Sequence, residues 1–342
     1  MKAAVLTKIR KFILEDREIP KLKPGFALVR IRAVGICGSD VHYFTHGRIG
    51  NQVVKKPLVL GHEASGLVVG IGKGVKNVKV GDKVALEPAI FCEKCEFCKS
   101  GRENLCKQVK FFGTPPVDGT YQEYVLHPSK MLFKLPKNMS FEQGALLEPL
   151  TIGMYAVQLA ELKRTDTIAI LGSGPIGLSI LKSALYQGVK KIFVTDYLAY
   201  RLKIAAKHKN VVVVNAGANP VKKIVALTKG RGVDAVFEAA GAPEAFAQSI
   251  LIARTGGRVI WVGIPDGDDI TINNHEARRK ELVIKTVRRT KHQNEKAIHA
   301  VGKGMIEVRD MATHRFRLEE IAKAFRVVEN YKDSVVKAII EM

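Results

Sequence analysis

The sequence predicts an α/β protein in which a doubly wound parallel sheet, wrapped by helices, is joined to a mostly β domain. Three observations carry that prediction. From about residue 151, apolar strand runs alternate with helical stretches: TIAILGSGPIGLSILKSALYQG, KKIFVTDYLAYRLKIAAKH, VDAVFEAAGAPEAFAQSILIA and GGRVIWVGIP. That alternation is the sequence form of a parallel sheet covered by helices. Residues 1 to about 150 instead carry short β-type runs punctuated by Gly, Pro and Asp, among them ALVRIRAVGI, PLVLGHEASGLVVGIG, VGDKVAL, YQEYVLHP and MLFKLP. Finally, CEKCEFCKSGRENLC packs four of the five cysteines into fifteen residues.

These textures place the domains. Residues 1–150 form a first domain with a cysteine lobe at 88–108, residues 151–287 form the sheet-and-helix domain, and 288–342 return to the first. In that last segment RFRLEEIAKAFRVVENY reads as one amphipathic helix and SVVKAIIEM as a final strand. A chain of 342 residues suits two domains, each with a sizeable core. With 46% hydrophobic and 26% charged residues, no uncharged apolar run approaches the ~20 residues of a membrane span. The first twenty residues, MKAAVLTKIRKFILEDREIP, interrupt their apolar positions with charge, which predicts a strand or hairpin rather than a signal peptide. The expected compartment is the cytoplasm.

A formal charge of +22 would attract nucleic acid or other polyanions. Lys and Arg are nevertheless dispersed, aromatics are only 7%, and no nucleic-acid-reading motif is present. A solvated basic surface is expected, with no specific nucleic-acid partner.

The cysteine lobe points to a metal. Cys92, Cys95, Cys98 and Cys106 can close a tetrahedral thiolate shell around one structural zinc. A disulfide is cramped in adjacent CxxC loops and lacks a secretory context. An iron–sulfur run of the common bacterial kind ends C-x3-C-P, whereas seven residues separate Cys98 from Cys106 here.

In the second domain Gly172, Gly174 and Gly177 follow the strand TIAIL and open a helix at Pro175 and Ile176. Gly172 permits a tight turn, Gly174 lets backbone N–H groups reach a pyrophosphate, and Gly177 lets helix and strand pack closely. Pro175 suits the first helical turn, whose orphan N–H groups favour an anion. Nineteen residues beyond Gly177, Asp196 ends the strand KIFVTD. Its carboxylate can accept from both adenosine-ribose hydroxyls and would repel a 2′-phosphate, which favours NAD over NADP. Capping of the following helix is its alternative role. Arg201 lies about one turn further on, where it either relaxes that preference or makes a salt bridge. Gly241 and Gly263, at the ends of later strands, are expected to border the nicotinamide half.

The fifth cysteine, Cys37, lies in GICGSDVHYF, and His62 and Glu63 follow in GHEASGLVVGIGKGV. A thiolate, an imidazole and a carboxylate, with Glu148 of LLEPL as a further candidate, make the mixed ligand set of a catalytic zinc.

The run from Gly61 through Gly66 and Gly72 to Val75, with the CxxCxxC-x7-C lobe, resembles the zinc-containing medium-chain dehydrogenase superfamily over essentially the whole chain. CGSDVHYF, FFGTPPVDGTYQEY and GALLEPLTIGMYA are similar to its sorbitol and xylitol (polyol) dehydrogenases. The resemblance implies a Rossmann cofactor domain and a GroES-like catalytic domain. It also implies two zinc ions per chain, NAD, and a homotetramer that interconverts a polyol and a ketose. Cys37, His62 and Glu63 would hold the catalytic zinc, with Glu148 binding it directly or through its water. Ser39 and His42 would relay the proton, and Tyr43, Phe112, Thr114, Glu148 and Arg289 would face the substrate. Where the subgroup usually has Tyr after that Arg, this chain has Thr290, and the loop before TPP is one residue shorter, so a larger or differently branched polyol is accommodated. Threonine 3-dehydrogenase is the nearest alternative, which the TPPVDG passage argues against. A nucleic-acid-binding protein on a dehydrogenase scaffold is the reading from another class.

Overall fold

The structure, a computed structural model, describes residues 1–342. It divides into two compact units, Met1–Glu148 with Asn294–Met342, and Pro149–Gln293.

The first unit is built on a seven-stranded sheet whose central strand is Phe26–Gly35. Ala27, Val29, Ile31 and Ala33 point inward while Arg30 points out, the alternation of a sheet with one covered face. The strand pairs antiparallel with Glu63–Ile71 in a register that sets Gly35 opposite Glu63. It also pairs antiparallel with Lys337–Glu341, where Ile339 faces Gly35. Three distant segments therefore meet at one strand end. The amino terminus is the expected hairpin, Lys2–Lys8 against Lys11–Asp16. A core of Val5, Val29, Phe44, Val68, Tyr121 and Phe325 lies behind the sheet.

One sequence expectation is corrected in this unit. RFRLEEIAKAFRVVENY is not a single helix: Ala312–Arg317 is a strand pairing parallel with Lys337–Glu341, and the helix is confined to Ile321–Glu329. Alternation beginning at Ala312 outcompetes helical periodicity there, because Ala312 and Phe316 are buried against the sheet while Thr313 and Arg315 are exposed.

The second unit is a six-stranded parallel sheet, in the order Val211–Asn215, Lys191–Asp196, Thr167–Leu171, Val233–Glu238, Ala253–Trp261, Val283–Thr286. The strand order reverses between Thr167–Leu171 and Val233–Glu238, the switch point at which such sheets take ligands. Both strands are almost wholly buried, as sheets covered on both faces require. No helix in either unit is long and apolar enough to cross a membrane.

Candidate metal centres and cofactor site

Gly35 ends the central strand, and Cys37, two residues on, caps the helix Gly38–His46. His62 precedes the paired strand that begins at Glu63. The register thus brings Cys37 beside His62 and Glu63, and one ligand atom of each lies within 4.8 Å of the others. Space for Glu63 depends on Gly35, where a Cβ would stand 2.1 Å from Glu63 Oε2.

Asp40 organises this cluster from below. Its Oδ2 accepts from Cys37 N at 3.1 Å, and its Oδ1 accepts from Gly61 N at 3.1 Å. The same Oδ1 stands 3.4 Å from His62 Nδ1. A carboxylate on Nδ1 leaves Nε2 to bind a metal. Tyr121 OH lies 3.1 Å from both Asp40 Oδ2 and the Gly35 carbonyl, locking the carboxylate in place. Lys337 donates from Nζ to both oxygens of Glu63 and to Ile36 O, all in a buried setting.

Burial opposes charge on His62, but Asp40 and Cys37 outweigh it and hold the imidazole well above its usual range. Burial likewise disfavours charge on Lys337, and Glu63 and Cys37 overcome it. Glu148 stands outside the Cys37–His62–Glu63 group. Burial pushes its carboxyl up to about 8, His62 opposes the rise, and Glu63 and Glu87 add to it. One thiol, one imidazole and one carboxyl group within 4.8 Å of one another have the donor chemistry of a divalent cation site.

Cys92, Cys95, Cys98 and Cys106 form the second donor group, all four sulfurs within 4.8 Å of one another. Cys95 Sγ and Cys92 Sγ lie 3.5 and 3.9 Å from Cys98 Sγ. Tetrahedral zinc with Zn–S near 2.3 Å separates its sulfurs by about 3.8 Å. The thiols are free of disulfides. Cys92 is drawn down to about 6, chiefly by the Lys94 amide, the behaviour of a ready thiolate.

Ser39 and His42 sit three residues apart on one face of the helix Gly38–His46. Tyr43 is buried, its hydroxyl 3.4 Å from Gln52 Oε1. The aromatic ring facing His62 belongs to Phe111, at 5.3 Å between centroids. Phe112 instead turns into the core, edge-on to buried His127 at 4.7 Å, so neighbouring phenylalanines have opposite placements. Thr114 is half-buried in the same segment. In the second unit Arg289 has a left-handed backbone, with φ of 56°. Thr290, expected to enlarge a pocket, is buried with its hydroxyl donated to Thr151 O at 3.2 Å. Its smaller volume is taken up inside its own unit.

The glycine turn has the geometry its spacing predicts. Gly172 has φ of 101° and backs onto Ala239, where a Cβ would meet backbone at 3.0 Å. A Cβ on Gly177 would stand 1.9 Å from Gly172 O, so helix and turn touch there. At Gly174, which caps the helix Pro175–Tyr186, the only near atoms are those of the Arg201 guanidinium, from 3.3 Å. That opening above helix N–H groups suits a pyrophosphate.

Asp196 is engaged with backbone on both oxygens. Oδ2 accepts from Ser173 N and Oδ1 from Leu198 N, each at 2.8 Å. Arg201 Nη1 lies 3.9 Å from Oδ2. The carboxylate therefore ties the glycine turn to the next helix, and its remaining lone pairs are available to ribose hydroxyls.

Sequence reasoning overlooked Asp40, Lys337, Tyr121 and Phe111. Asp40 alone carried a local signal, as the acidic third residue of a helix capped by Cys37.

Residues 23–137 match the alcohol dehydrogenase GroES-like domain, and residues 175–303 match the zinc-binding dehydrogenase family. The chain is 37% identical over 341 residues to sorbitol dehydrogenase from Bacillus subtilis (strain 168), covering 99% of this chain and 97% of the relative. It is 38% identical over 328 residues to D-xylulose reductase from Morganella morganii, covering 95% and 96%. Among solved structures, 2R,3R-butanediol dehydrogenase from Bacillus subtilis superposes with a TM-score of 0.89 at 30% identity, over 100% of this chain and 99% of the other. The protein therefore belongs to the zinc-containing medium-chain dehydrogenase superfamily, in its polyol dehydrogenase subgroup, and is an oxidoreductase.

Proposed function

We propose that this protein is a zinc-dependent, NAD-linked dehydrogenase that interconverts the secondary alcohol of a polyol and a ketose. The observation that carries the reading is the convergence of Cys37, His62 and Glu63 on one point, with Asp40 behind the imidazole. Relatives named for sorbitol and xylulose support the substrate class.

One zinc belongs among the four lobe cysteines, and the other between Cys37, His62 and a carboxylate of Glu63 or Glu148. When bound, the second metal supplies the Lewis acidity that brings a secondary hydroxyl towards a neutral pKa, and NAD supplies the hydride acceptor. Asp40 fixes the tautomer and aim of His62. Ser39 and His42 carry the released proton outward, a task suited to an imidazole. Tyr43, Thr114 and Arg289 offer polar groups to further hydroxyls of the substrate. Asp196 favours NAD by receiving ribose hydroxyls and repelling a 2′-phosphate. A homotetramer is the assembly the subgroup resemblance implies, and light scattering would test it.

Initial rates with sorbitol, xylitol, 2,3-butanediol and threonine, each with NAD⁺ and NADP⁺, test this reading. Turnover of sorbitol or xylitol with NAD⁺ is expected. Activity confined to threonine would overturn the substrate class.

A further inference from the structure

Glu238 is the last residue of the strand Val233–Glu238 and is fully buried, at the carboxyl end of the sheet beside the reversal of strand order. Its Oε1 accepts from the amides of Ala240 and Gly241, each at 2.7 Å. Its main-chain carbonyl accepts from Val262 N at 2.9 Å and Gly263 N at 3.1 Å. One residue thus gathers the turns that follow two neighbouring strands. A third turn abuts them, since Ala239 N donates to Leu171 O at 2.8 Å and Gly172 packs on Ala239.

The second carboxyl oxygen has no such employment. Oε2 is buried without a hydrogen-bond partner, and a Cβ on Gly263 would lie 2.5 Å from it. Leaving a buried acceptor unmet costs about 1–3 kcal/mol, a cost that an apolar residue at this strand end would avoid. A carboxyl maintained there at such cost, among the turns that border the switch point, calls for a role that apolar packing does not supply.

We propose that Glu238 is a positioning residue for the dinucleotide: as a carboxylate it draws the Gly241 and Gly263 turns into the shape that receives the nicotinamide half, and a proton on Oε2 loosens that grip. The inference deepens the cofactor reading above and rests on it. Burial raises the Glu238 carboxyl to about 7, while the amides of Gly241, Ala240 and Gly263 pull the other way. No charged side chain is among the groups acting on it. Amide hydrogen bonds to a carboxylate are about twice as strong as those to a neutral carboxyl. The bound form therefore favours the anion, and affinity rises as pH rises through the free protein's value.

Trp261, the only tryptophan, ends the strand two residues before Gly263 and provides the probe. NADH is titrated into the full-length, zinc-loaded protein from pH 5.5 to 8.5, following energy transfer from Trp261, with melting temperatures recorded in parallel. The wild-type protein is expected to bind NADH about fivefold more tightly at pH 8 than at pH 6, the ratio that a tenfold preference for the carboxylate form gives across that window when the free group titrates at about 7. Glu238→Gln keeps the acceptor for Ala240 and Gly241 but has no proton to lose, and its profile is expected to be flat. Glu238→Leu is expected to bind weakly at every pH. A Glu238→Gln profile like the wild type's overturns the inference alone, as does a lowered melting temperature with unchanged NADH affinity in both variants. Wild-type protein that binds no NADH at any pH overturns the cofactor reading and this inference together.

Discussion

Lys337 Nζ lies 2.6 and 2.7 Å from the two carboxylate oxygens of Glu63, and both residues are closed off from solvent. The pair joins residues 274 positions apart in the chain. It also commits to an ammonium the carboxylate that stands beside Cys37 and His62, so a zinc ion held by Glu63 would compete with Lys337 for the same two oxygens.

Removing the lysine exposes that competition. Lys337→Met leaves Glu63 buried without its cation, a change that costs about 3–5 kcal/mol when nothing replaces the partner. Urea unfolding of metal-free protein should show that loss, and added zinc should recover more stability in the variant than in wild type. Equal recovery in the two would mean that Glu63 and the metal do not interact.

Asp40→Asn keeps the shape but removes the charge behind His62. Loss of a partner of this kind lowers metal affinity about 10–100-fold. Competition with a chelator should show weaker retention of one zinc while the lobe zinc is unaffected.

Two glycines separate steric need from ligand need. A Cβ at Gly177 would collide with Gly172 O, whereas at Gly174 it would meet only the Arg201 side-chain end. Gly177→Ala should therefore lower the melting temperature and NADH affinity together. Gly174→Ala should leave melting nearly unchanged and weaken NADH by tenfold or more, on the order of 1.4 kcal/mol, when both are measured side by side.

Acid sensitivity should trace to His127. Burial lowers this imidazole from 6.5 to about 4, with only the Glu87 carbonyl opposing. The unfolded chain then binds the extra proton below pH 6.5, so stability is present above that value and is lost as pH falls towards 4. Between pH 7 and pH 5 the loss is about 2 kcal/mol. His127→Gln should remove most of that slope in urea titrations, and an unchanged slope would assign it elsewhere.

The parts legible in the sequence are those whose chemistry is local. Four cysteines within fifteen residues, a glycine turn between a strand and a helix, and a thiolate near a GHE run each state their purpose in a short window. Lys337 does not, because a lysine in KAIIEM reads as a strand's exposed end until pairing with Phe26–Gly35 buries it. Phe111 and Phe112 are indistinguishable by type, and only the pairing of Lys110–Phe111 with Ala89–Ile90 decides which ring turns towards His62. Glu238 resembles any strand-ending carboxylate before its amide partners are known. Thr290 shows the limit of reasoning from side-chain size, since its hydroxyl is spent on the Thr151 carbonyl.

The central claim concerns where metal binds, and anomalous diffraction at the zinc edge on crystals of the purified protein tests it most directly. Two peaks per chain are predicted, one enclosed by Cys92, Cys95, Cys98 and Cys106 and one bounded by Cys37 Sγ and His62 Nε2. A single peak in the cysteine lobe, with Cys37 and His62 bare in zinc-saturated crystals, would contradict the account.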